Sequence, residues 1–523
     1  MMKKLLLAST VLVLSFILIA CGGDADPETT NDIPPLGELR DSITVAQATE
    51  PVSTDLHATN DVPSAQIHRH IFETLIFQDV DMSLNPGLAT DWELIDDRVW
   101  EFTLREDVYF HNGEAFTADD VAFTFTRAAS SPSVTPILGN IDVTTIEVID
   151  THTIRLGTYE PFAPFLSNLA HAASGIMNEV AVEYAGDNVD RQPVGTGPYK
   201  LVEWIANDQV VLERFEDYHA QNPFRPMPGI RQIIIRQISD TAARAIEFET
   251  GTIDIDLNPA PNNFPRIEED GNFTILSAPG LRTEYIGLNT SHEYLSDYRI
   301  RQAINYAVDV DAIIESIYQG HGTTGASHIS ENIFGHNPSI TPFPYDVERA
   351  RELMAEAGVP DGFTTTIYAN SERQDRVDVV TIIANQLAEI NINLEIRQTD
   401  WATLLTLLDT NEPAMFALGW TAVTGDADIG LFPLFHSSQH GSAGNRILFA
   451  NDRVDELLEL AQATTDNQAR LDAYFEVQEI LRDQAPWIIT IQEKPTVAIN
   501  NAVQGFTVDP TGSYYLGNLT IGD

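Results

Sequence analysis

A single cysteine, Cys21, stands in 523 residues, so no disulfide can form within the chain. Lysine is almost as scarce: beyond Lys3 and Lys4 only Lys200 and Lys494 remain. With Lys+Arg at 29 against Asp+Glu at 77, the formal net charge is −48, a surface that repels DNA and anionic lipid and excludes a nucleic-acid partner. Only one long apolar run occurs, Leu5 to Ala20, and it is short for a membrane span, so no integral membrane protein is expected. The catalytic signatures GxxxxGK, GxSxG and HExxH are all missing. Gly320-His321-Gly322-Thr323-Thr324-Gly325 does satisfy GxGxxG, yet it follows a helical stretch where a dinucleotide fingerprint needs a strand. Apolar residues make up 43% of the chain, which excludes wholesale disorder.

Lys3 and Lys4 ahead of the apolar run form a signal of secretory type over residues 1–20. Leu18-Ile19-Ala20-Cys21-Gly22 resembles the bacterial lipobox, which implies lipid attachment at Cys21 and an extracytoplasmic protein held to the cell membrane by that anchor alone. Residues 21–40 are acidic, carry proline and lack apolar periodicity, as a flexible tether does.

The length calls for two or three domains, and the pattern is α/β. Helical spacing runs from Pro63 to Phe77, and Val99–Leu104 alternates at strand period. Thr117 with Asp120 is a capping box opening a helix to about Ala129. After residue 297 helices alternate with strands (helices 297–319, 345–357, 372–390 and 400–408; strands 394–398 and 414–420), implying crossover units on a mostly parallel sheet. Helices at 452–464 and 466–484 and a strand at 487–492 follow.

Several ordered motifs carry a resemblance. Leu104 to Gly113 with Phe116 to Val121, the turn Pro193-Val194-Gly195-Thr196-Gly197-Pro198-Tyr199, Arg299 to Asp309, Leu353 to Gly358, and Ala485-Pro486-Trp487 are similar to the extracellular solute-binding proteins of family 5. These are the peptide- and nickel-binding subunits of ABC importers. The resemblance implies a two-lobed periplasmic-binding-protein-like fold of class II with an extra domain and a hinge between the lobes. Mapped by motif, lobe I takes 41–60, 191–290 and 491–523, the added domain 61–190 and lobe II 291–490. It further implies a monomeric receptor, not an enzyme, that passes a small peptide to permease and ATPase subunits.

The stretch Gly419 to His436 draws the most attention, because ligands in open α/β sheets sit beyond the carboxyl ends of strands. Family members that bind peptides read Trp-x-x-Asp there, the Asp pairing the ligand's ammonium. Aligned on Trp420, the corresponding position here is Val423, which offers no charge. Asp426 and Asp428 fit the later Asp-x-Asp of the family, and Thr424 to Asp428 with Phe435 to Gly441 is similar to a glutathione-binding subgroup. Glutathione or a short peptide is therefore the expected ligand, with an oligosaccharide or chelated nickel as the alternative and a secreted hydrolase using the same cleft as the remaining reading. Arg282 and Arg446 stand as partners for a carboxylate or else as surface ion pairs, and Trp420 and Trp401 as ligand-flanking rings or else core. Tyr285 and Asn289, placed where a first-lobe strand leaves for the hinge, and Glu50, as an ammonium partner, complete the candidate site. No cofactor is expected. His68 and His70 face apart on a helix, and His436 and His440 read as loop residues bonded to backbone, so no metal site is expected either.

Overall fold

The computed structural model describes residues 41–522 except 60, 220–224, 372 and 442–443, and only the backbone of 136, 187, 401 and 402. The secretory signal, Cys21 and the tether lie outside the described residues. Among those described, no helix is long and apolar enough to cross a membrane.

Two mixed sheets organise the chain. The first runs in the order 273–277, 496–500, 255–256, 42–47, 232–237, 209–214, 199–205. Its central strand Ser42–Gln47 is parallel to both neighbours and buries Ile43 and Val45 with Ile233 and Ile235. The second has the order 392–399, 363–370, 415–421, 282–288, 487–492. Here Phe363–Asn370 is parallel to both neighbours, as the helix–strand alternation requires. Arg282–Leu288, in contrast, is antiparallel to both of its own neighbours, so the sheet is only half parallel. That strand enters straight from the first sheet without a crossover helix. The chain thus passes from the first sheet to the second at residues 278–281. The return crossing is at 493–495, and the two are stitched by Gly280 N–H to Glu493 O (3.2 Å) and Glu493 N–H to Arg282 O (3.0 Å).

The added domain holds a four-stranded antiparallel sheet, Ala89–Asp96, Val99–Leu104, Thr153–Gly157 and Glu147–Asp150, with its own aromatic core of Phe102, Phe110, Phe116 and Phe125. The helix Ala118–Ala128 packs there, opened by the capping box of Thr117 and Asp120. The helix expected over 297–319 is two, Tyr298–Tyr306 and Val310–Tyr318, because Asp309 caps the second with its carboxylate on Ala312 N–H.

Two local structures position the site. Helix Val62–Ile71 starts on Asp61, whose side chain accepts from Ser64 N–H, and carries a proline in its first turn. Its C-terminal end is clamped by the Gly195-Thr196-Gly197 turn: Gly197 N–H donates to Ile71 O at 2.8 Å, and a Cβ on Gly195 would lie 2.0 Å from that same oxygen. Only glycine permits this approach. The second local structure is a helix not expected from the sequence, Ala427–Phe435, which begins on Asp426 and runs through Pro433.

Candidate functional site

One face of helix Val62–Ile71 presents Asp61, Ala65, Arg69 and Phe72 at three- and four-residue spacing to a cavity of about 90 Å³. Phe77 and Met82 of the hairpin 76–86 close another side, Asp509 to Ser513 a third, and Val423 of the second lobe caps it. The second lobe is held down here by Gln78 Nε2, which donates to Thr424 O at 2.9 Å. Val423 and Ile429 also pack on the core of the added domain.

Two arginines, Arg69 and Arg225, line the cavity together with Asp61, Asp79 and Asp509. Arg69 Nη1 donates to Asp509 Oδ2 at 2.7 Å, while its Nε lacks a partner among the described residues. Arg225, only 7% exposed, lies over the rings of Phe77 (5.1 Å) and Tyr515 (4.8 Å) and donates from Nη1 to Arg69 O at 3.2 Å. Its Nε too has no partner among the described residues, and neither do Ser513 Oγ and Tyr515 OH close by. Buried polar groups are normally satisfied, so a cluster of orphans around a cavity marks a place built for something polar. Behind it, Glu73 accepts from Thr196 Oγ1 (3.0 Å), Tyr218 OH (2.9 Å) and His219 Nε2 (2.9 Å). Burial alone would raise that carboxyl, but His219 and the charge of Arg225 hold it below its ordinary range. His68 and His171 are pushed down to about 4 by burial, with Arg69 adding to the effect at His171, so both are neutral at pH 7.

A larger pocket of about 800 Å³ lies on the other side of the 420–428 loop, between Tyr159 and Phe162 of the added domain and Trp420, Asp428, Phe432 and His440 of the second lobe. No buried polar atom of its lining lacks a partner among the described residues.

Of the residues singled out from sequence, Val423 lines the inner cavity, and Trp420 and Asp428 line the larger pocket. Trp420 Nε1 donates to Ile429 O at 2.8 Å, and Asp428 accepts from Gln462. Asp426 reaches neither space. Buried, it caps helix 427–435 and takes Arg470 Nη2 on both oxygens at 2.8 Å. Arg282 is held by Glu284 and Thr421, and Tyr285 stacks on Trp487 at 3.5 Å inside the second-lobe core. Both stand in a second-sheet strand, not in a first-lobe one. Asn289 donates to the carbonyls of Asn411 and Pro413, which fixes a turn. Arg446 is half-buried near Tyr285. Glu50 accepts from Trp204 Nε1 and Asn207 N–H on the first sheet's edge, which places it away from both pockets. Trp401 opens the helix Trp401–Asp409, and its side chain lies outside the described residues. His440 Nε2 meets Phe449 O at 2.8 Å, and no group of three or more potential ligands is placed to hold a metal among the described residues.

Sequence reasoning passed over Arg69, Arg225 and Asp509. A usable signal existed for one. In so acidic a chain, Phe224-Arg225-Pro226-Met227-Pro228 sets an arginine among apolar neighbours with no acid beside it.

Comparison with known proteins gives the same picture. The sequence profile described as bacterial extracellular solute-binding proteins, family 5 Middle, matches residues 83–442. Glutathione-binding protein GsiB of Salmonella paratyphi A is 30% identical over 477 residues, covering 90% of this chain and 92% of its own. In structure, the periplasmic binding protein DppA of Helicobacter pylori, in complex with the peptide STSA, is similar at a TM-score of 0.78 and 28% identity, over 93% of this chain and 99% of that one. HbpA2 of Haemophilus parasuis gives a TM-score of 0.81 at 26% identity, over 92% and 99%.

Proposed function

Because this chain belongs to the bacterial extracellular solute-binding proteins of family 5, substrate-binding proteins of ABC peptide importers, we propose that it captures glutathione or a short peptide between its lobes and delivers it to a permease. The observation that carries this reading is the cavity between helix Val62–Ile71 and Val423, lined by Arg69, Arg225 and Ser513. The name of the Salmonella relative and the tetrapeptide complex of the Helicobacter protein support the ligand class. At about 90 Å³ the cavity holds a polar head group and little more, so a whole peptide requires the lobes to part about the crossings at 278–281 and 493–495. Closure then surrounds the ligand and strengthens each polar contact by removing water.

Isothermal calorimetry of the purified protein with glutathione, di- to tetrapeptides, cello-oligosaccharides and nickel–histidine tests the ligand. Saturable binding of glutathione or a tripeptide, recovered chemically unchanged, is expected. Binding confined to the sugar or the nickel complex sinks the peptide reading.

The mature protein is further proposed to be a monomer anchored through Cys21. Cys21→Ser is expected to move it from the membrane fraction to the soluble exported fraction, with ligand affinity unchanged. Unaltered membrane association in that variant refutes the anchor.

A further inference from the structure

Arg225 is a buried cation at the edge of the cavity. It is buried to more than nine-tenths and makes no salt bridge among the described residues, where its single hydrogen bond is to a neutral carbonyl. Glu73, whose charge it feels, has already given its oxygens to Thr196, Tyr218 and His219 and acts on Arg225 only through space. An isolated buried cation is costly unless a counter-charge arrives. Arg69 beside it differs, because Asp509 occupies one face of its guanidinium while Nε stays open. Both arginines line the cavity, and neither guanidinium Nε has an acceptor among the described residues. A buried arginine without a paired carboxylate leaves room for one brought by a ligand, and its planar fork suits that group.

Resting on the peptide reading above, we infer that Arg225, with Arg69 oriented by Asp509, receives a carboxylate of the ligand. The other end of the same helix face is acidic. Asp61 precedes Arg69 by eight residues, which at 1.5 Å per residue is about 12 Å, and Asp79 lines the cavity with it. A tripeptide spans about 10 Å extended. The site thus favours a zwitterion lying along helix Val62–Ile71, its carboxylate on the arginines and its ammonium toward Asp61 and Asp79. Val423, facing the middle, contributes shape without charge. That explains how a binding loop can do without an acid at this position: the acids are carried by the start of helix Val62–Ile71 and the hairpin 76–86.

Calorimetry with trialanine, trialanine amide and glutathione on the wild type, Arg225→Gln and Arg225→Lys decides the matter. The wild type is expected to bind the free acid 10- to 100-fold tighter than the amide, the worth of one charge-assisted hydrogen bond pair. Arg225→Gln should weaken acid binding by a similar factor and erase the acid–amide difference, while Arg225→Lys restores part of it. The wild-type comparison needs no variant to fold. Equal affinity for acid and amide overturns the carboxylate site and leaves peptide capture standing, as does a difference that survives in Arg225→Gln. Failure of all three ligands to bind overturns peptide capture itself, and the carboxylate site with it.

Discussion

Replacing Arg470 by methionine is expected to lower the free energy of unfolding by about 3–5 kcal/mol, the cost of stranding one member of a buried ion pair. Asp426 and Arg470 are 3% and 5% exposed, and Asp426 has no route to water through which to recover its solvation. Arg470 Nη2 bonds both carboxylate oxygens and the Tyr474 hydroxyl, its Nε holds Ala461 O, and its plane lies 4.9 Å from the Phe334 ring. Methionine replaces some of the packing and none of the charge. The companion change Asp426→Asn removes the stranded charge yet can still cap helix 427–435 from its side-chain oxygen, since asparagine serves at that position. The double variant should therefore regain most of the loss, and urea unfolding of the four members of this cycle measures it. If Arg470→Met costs less than about 3 kcal/mol, the low end for breaking such a pair, or if Asp426→Asn makes it worse, the ion pair is not what secures this loop. Ligand affinity should fall alongside stability in the single variant, because the loop from Ala422 to Asp426 carries Val423 into the cavity.

Asp428 gives the second large effect, and here pH is the lever. Burial, then the nearby charge of Asp426, pushes its carboxyl up to about 7 from an ordinary 3.8, against a smaller pull from the Gln462 hydrogen bond. A carboxyl that is harder to ionise folded than unfolded stabilises the fold fully below pH 3.8, and that contribution is lost as pH rises to about 7. Asp428→Asn keeps the shape and the acceptor for Gln462 but has no charge to strand. It should match the wild type at pH 4 and exceed it at pH 8 by as much as about 4 kcal/mol, because each tenfold change in proton affinity is worth about 1.36 kcal/mol. Denaturant titrations at pH 4, 6 and 8 read the divergence directly. A constant offset across that range would mean that Asp428 is ionised in the folded protein and paired in some other way.

Both effects arise in the Gly419–His436 stretch that the sequence marks out, and they show why its acids read differently in three dimensions. An Asp beyond a strand end, in a loop rich in glycine, carries the marks of a ligand contact. Asp426 instead starts a helix that Gly430 and Pro433 hide from propensity, since both residues argue against helix. Its guanidinium partner comes from the helix Asn467–Gln484, packed against it by the second-lobe core. No local pattern could foretell that.

What the sequence settled alone was part of what interactions within a few residues set. Thr117, Asp240, Asp400 and Asp466 each begin a helix where the sequence placed one. The 415–421 strand, the alternation after residue 297 and the family membership were likewise legible, because hydrophobic period and ordered motifs are properties of the chain in one dimension. Tertiary structure decided which charges meet. Arg69 finds Asp509 across 440 positions, Arg470 finds Asp426 across 44, and Arg225 finds no acid at all among the described residues. The physical reason is that charge pairing is set by sheet order and lobe crossing, not by spacing in the chain. Burial then decides whether a pair is structure or site: a satisfied arginine holds the fold, and an unsatisfied one waits for a ligand.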